Sequence, residues 1–176
     1  MTEQFDFGAG PVAAHRHPKG GGWVADTATV ADTAYVGKDA KVLESAQVLG
    51  KAIVFDDARV FGRALVFGNA QVYGHAQVYG NAQVYGCALV FGTTQVFGNA
   101  QVFENSRVLG NVQVFENARV FGDARVFGRA RVFGDAQVFG KAQIYSRARI
   151  YGKAHVFGKM RRFGKTRVFG KTRVCR

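Results

Sequence analysis

The sequence predicts an all-β protein, a single-stranded parallel β-solenoid, and three observations carry that reading. Val or Ile stands at 25 of the 26 positions that are multiples of six from Val24 to Val174, the exception being Arg162. The words between them keep one order: small, polar, Val, aromatic, Gly, polar, as in "NAQVYG" from Asn69 to Gly74 and again from Asn81 to Gly86. The 23 Gly fall largely in register while Pro occurs only twice, so neither ordinary helices nor a flexible Gly-rich linker fits. A fixed period without insertions is the mark of a solenoid.

The word dictates its own geometry. Ala and Val are two residues apart, so an extended strand turns both to one face, and the Gln between them to the other. The Ala/Val face is expected inside, since the alternative buries a row of Gln and Arg. Gly and the following Asn, Asp, Lys or Arg form the corner, where they tolerate turn geometry that other residues resist. Each word is then one short strand and one corner. Residues 1–22 are expected to form an N-terminal cap segment, and residues 23–176 the β-helix domain. The chain stops in mid-word at "KTRVCR", so an open end is expected there. With Arg162 in a Val place and Met160 in an Ala place, that coil is expected to pack less well than the others.

Composition bounds the function classes. No run of about 18 apolar residues is present, so no membrane insertion is expected. "MTEQFDFGAG" lacks a basic region followed by an apolar run, and with only two Cys the reading is a cytoplasmic protein. The net charge of +12 is uneven: residues 1–88 carry 7 Lys+Arg against 8 Asp+Glu, and residues 89–176 carry 17 against 4. After Asp135 there is no acidic residue.

Val followed four residues later by Ala, with Asn or Asp just before that Ala, resembles the bacterial transferase hexapeptide-repeat superfamily. Val66-Asn69-Ala70, Val78-Asn81-Ala82 and Val120-Asp123-Ala124 carry the resemblance, and His15 to Ala28 ("HRHPKGGGWVADTA") is similar to the entry of such a domain. The nearest likeness is to uncharacterised acyltransferase-like proteins rich in V-Y-G-N-A words. The resemblance implies a left-handed β-helix, triangular in section, with three words per coil and about eight coils. In this chain Phe or Tyr follows the Val, and Gly comes one later.

If three words make a coil, residues 18 apart stack. Cys87 and Cys175 then lie about five coils, or roughly 24 Å, apart, too far for a disulfide. The aromatic slot yields three ladders along the prism edges. One runs Phe61, Tyr79, Phe97, Phe115, Phe133, Tyr151, Phe169; a second starts at Phe55 and a third at Phe67. Such rings either stack on one another and cover the corner backbone, or leave an aromatic edge for a partner or another copy. Gln77, Gln95 and Gln113 form an outward column that continues as Arg131, Arg149 and Arg167. Like charges on neighbouring strands repel, and Arg holds phosphate or carboxylate with two hydrogen bonds, so this column is an anion-binding candidate, together with the corner residues Lys153 and Lys171. A solvated face kept soluble by charge is the bland alternative.

Catalytic signals are weak. His15 and His17 form an H-x-H pair expected in a polar loop, and no third metal ligand is evident. His75 and His155 lie in repeat slots with no His or acidic cluster at ligand spacing. The superfamily's acyltransferases carry a His base, often on a loop that interrupts the repeat, and no such interruption occurs here. No cofactor and no metal are expected. The leading reading is a non-catalytic structural or binding solenoid for self-association, as a trimer or by lateral or end-to-end contact, or for anionic partners. The alternative is a trimeric acetyl-CoA-dependent acyltransferase, and a third reading is a polyanion or nucleic-acid binder.

Overall fold

The structure, a computed structural model, describes residues 3–159, 161–162, 166–171 and 173–175, the side chains of Arg161, Arg162 and Cys175 excepted. Within these residues all regular structure is β, arranged as three sheets of 11, 9 and 8 strands. Successive strands step from sheet to sheet, so each sheet gains one strand per coil. In-register partners are 18 residues apart, as in Gln77↔Gln95 and Val78↔Val96. The three-sided coil implied by the resemblance is therefore present, and about eight coils stack.

Two-residue strands are short because every sixth position turns a corner. Between corners the backbone bonds go to the next coil: the Gln77 N–H donates to Thr94 O at 2.9 Å and the Tyr79 N–H to Val96 O at 3.0 Å. Inside, the core is almost wholly Val and Ala at 0 % exposure, from Val24 to Val156. Its exceptions are Ile144, Ile150, Thr94 and Ser106, also at 0 %.

Corners run through the left-handed backbone region, which suits Gly: Gly80 has φ +70 and lies under Gly98, whose N and O a Cβ at position 80 would meet at 3.1 and 3.2 Å. Five corners nevertheless hold Glu44, Asp56, Glu104, Glu116 or Ser146 at φ between 53 and 63. The four acids compensate for this strain. Glu44, Glu104 and Glu116 each accept the N–H of the Gly one coil on, at 2.8 Å, and Asp56 does so at 3.1 Å. We therefore expect Gly80→Ala to cost roughly 1–2 kcal/mol. Gly80→Glu should cost less, because its carboxylate can reach Gly98. Urea melts of the two variants check this; Glu equal to or worse than Ala would remove the compensation argument.

Ahead of the first coil, β1 (Glu3–Asp6) and β2 (Pro11–Arg16) make an antiparallel hairpin, and β2 pairs antiparallel with β3 (Trp23–Ala25). A small second core of Phe7, Ala14 and Ala25, with Phe5, Trp23 and Leu43 against it, holds the hairpin in place. The following loop covers another edge: the Gly22 N–H donates to Val36 O at 2.9 Å and the Val36 N–H to Lys19 O at 3.0 Å. At Gly20 and Gly22 a Cβ would collide with Val36 O and Gly37 O respectively, so only Gly allows this approach. Of the H-x-H pair only His15 departs from the loop expected: it is a strand residue paired with Val24, whereas His17 opens the loop after β2 and is buried there. At the other end Arg162 keeps the ladder register opposite Ile144. Met160 lies outside the described residues.

Candidate anion-binding site

Aromatic and basic side chains share the outer faces, and their geometry decides what each can do. The ladder from Phe61 to Phe169 is continuous: Phe61–Tyr79, Tyr79–Phe97, Phe97–Phe115, Phe115–Phe133 and Phe133–Tyr151 stack at 4.8–5.0 Å, and Tyr151–Phe169 at 5.6 Å. The ladder from Phe67 to Phe157 is likewise unbroken, at 4.7–5.0 Å. The one from Phe55 is interrupted where Leu109 takes a ring's place; Phe163, further along it, lies outside the described residues. Near-parallel planes at this spacing mean that each ring covers the faces of its neighbours. Packing raises the hydroxyls of Tyr73, Tyr79 and Tyr85 above the usual tyrosine range by desolvation. Phe169 is the exposed member, at 59 %.

The Arg column is in register as expected: Gln113↔Arg131, Arg131↔Arg149 and Arg149↔Arg167 are successive pairs of one sheet. Its members are not equivalent. Arg131 is half-buried, with its guanidinium carbon 5.4 Å from the Phe115 ring centre and 6.0 Å from that of Phe133, and its Nε is buried without a hydrogen-bond partner. Arg149 and Arg167 are exposed. Arg119 lies over Phe103 and Phe121 in the same manner as Arg131. Lys153 and Lys171 sit elsewhere, at the next corner. With His155 and Arg173 they line a shallow depression of about 390 Å³. The anion candidates thus form two neighbouring groups, the Arg column and the corner lysines.

Neutralisation is scarce. Among the described residues the ion pairs are His15–Asp26 at 2.8 Å and His75–Asp57 at 3.5 Å, and no Lys or Arg pairs with a carboxylate. In the Gln column, Gln113 donates to Gln95 at 3.0 Å. A longer ladder was not anticipated, in which Asn81 donates to Asn99, Asn99 to Asn117 and Asn117 to Asp135, at 3.0–3.2 Å. The 18-residue spacing of these corner residues was its signal.

Two His contacts add to the sequence reading. His75 has a single acidic neighbour, one coil back at Asp57. His15 Nδ1 meets Asp26 across the β2–β3 pairing, for which the repeat offers no signal. Among the described residues no group of three or more His, Cys, Asp or Glu could hold a metal ion.

Residues 58–74, 70–86 and 124–140 match the YdcK beta solenoid repeat. The chain is a β-solenoid repeat protein. The matched words are among those whose Val, aromatic and Gly slots build the stacked sheets and ladders above. No curated protein and no solved structure matches the chain. No helix among the described residues is long and apolar enough to cross a membrane.

Proposed function

We propose that this β-solenoid is a non-catalytic scaffold that holds a linear polyanion along its basic C-terminal coils. The supporting observation is that Arg131, Arg149 and Arg167 stack on one sheet and Lys153 and Lys171 line the adjoining corner, with no carboxylate paired to any of them. Stacked cations at a strand spacing of about 4.8 Å repel unless an anion lies between them. Because the ladder rings cover one another, they give nucleic-acid bases little face to stack on, in contrast to proteins that grip single strands by stacking. Recognition is then electrostatic, indifferent to sequence and weakened by salt.

The full chain should be retained on immobilised heparin at low salt. Arg149→Gln/Arg167→Gln should elute at clearly lower salt, and adding Arg131→Gln should lower it less, since Arg131 is spent partly on its rings. No retention at low salt would sink the proposal. The acyl-transfer alternative has the His15–Asp26 contact on its side. Calorimetry with acetyl-pantetheine, which has the acyl arm of acetyl-CoA and none of its phosphates, separates the two readings: the scaffold gives no saturable heat. Self-association, whether trimeric, lateral or end-to-end, belongs to the same proposal and is read by light scattering at low and high salt.

A further inference from the structure

A second hollow in the surface lies away from the residues just discussed. It measures about 550 Å³ and runs along one corner, over four coils, from Cys87 and Leu89 past Arg107 and Asp123 to Arg125 and Lys141. A volume of this size is typical of small-molecule sites.

Its charges are arranged for an anion. Arg107 and Arg125 are directly paired on neighbouring parallel strands, and both are exposed. Neither lies over a ring, unlike Arg59, Arg119 and Arg131. Arg119 and Arg131 each have a ring two residues on and another one coil back; beside both Arg107 and Arg125 one of these two places is held by Leu109, where the aromatic ladder breaks. Asp123 does not neutralise them: its Oδ1 accepts from Asn105 at 3.4 Å, and no ion pair joins it to either Arg or to Lys141. Three cations and one carboxylate leave the hollow with a formal charge of +2. The end at Leu89 and Cys87 is uncharged.

We infer that this groove binds a small organic phosphate monoester, with the phosphate held by Arg107, Arg125 and Lys141 and the organic part toward Leu89 and Cys87. A phosphate monoester carries about −1.5 to −2 at pH 7, which balances the groove, whereas a carboxylate leaves it under-neutralised. Two arginines side by side supply the forked donors that a phosphate accepts. The neutral end gives the organic part a contact that inorganic phosphate cannot use.

Cys87, exposed at that end, makes the test direct. In the full chain with Cys175→Ser, Cys87 is the sole thiol, and its alkylation by neutral iodoacetamide is followed at constant ionic strength. Phenyl phosphate should slow the reaction saturably. Inorganic phosphate and benzoate should do so only at much higher concentration. Arg107→Gln/Arg125→Gln should raise the phenyl phosphate needed by at least about tenfold, the loss of one or more charge-assisted bonds. Lys141→Gln should act in the same direction, and Arg149→Gln/Arg167→Gln should change nothing, which separates this groove from the polyanion face. Protection equalled by benzoate or by sodium chloride, or unchanged in both the double Arg variant and Lys141→Gln, overturns the assignment.

Discussion

Val84→Asp unfolds or splits the solenoid, while Gln83→Asp leaves it folded. Val84 is at 0 % exposure and sits in register between Val66 and Val102 in a column of Val. An ionised carboxylate there has only aliphatic neighbours, and burying it unpaired costs several kcal/mol even after the group protonates. That is a large part of the roughly 5–15 kcal/mol that holds an ordinary domain together. In a stack of coils each repeat is supported by its two neighbours, so a failed coil separates the halves. Gln83 lies one residue earlier on the outer face, between Leu65 and Gln101, and is only half-buried. A charge there keeps its water, and the expected cost is within about 1 kcal/mol. Thermal melts by circular dichroism decide it; equal damage from the two variants would reverse the assignment of inside and outside.

That assignment was legible because a period of six, with Ala and Val two apart, leaves no other face to bury. The ladders followed from the same slots once the coil length was granted. The coil length itself is hidden by the near-identity of the words, and shows only in their exceptions. Glu104 replaces a Gly and bonds Gly122, and Asp57 meets His75, each 18 residues away. Leu109 replaces a ring, and two arginines 18 apart lose a partner. Such exceptions carry the functional content of a repeat protein, because identical words can build only identical surface. What stayed illegible lies outside the period or between slots. His15 meets Asp26 through an antiparallel hairpin that follows no repeat. Arg131 reaches Phe115 by leaning back across a coil, so a column that reads as three equal cations has one partly engaged member.

Arg162→Val should stabilise the last coils. Position 162 pairs in register with Ile144, the latest member of an interior column of Val36, Val54, Val72, Val90, Val108 and Val126. An interior column of aliphatic side chains offers a guanidinium no counter-charge, whereas Val continues the packing onto Ile144. Burial of a Val side chain contributes about 1.5–3 kcal/mol. The gain should be local, because coils further down the stack are already fully packed on both faces. Hydrogen exchange should therefore slow at Arg167–Val168 and Arg173–Val174 in the variant, with residues around Val84 unchanged. Exchange in the wild-type chain should rise from about residue 158 onward by the same reasoning. Were exchange at Val168 and Val174 identical in the two proteins, and as slow as at Val84, the coil would already be stable with Arg in that slot. Its interior would then follow a packing rule other than the one that governs the rest of the column.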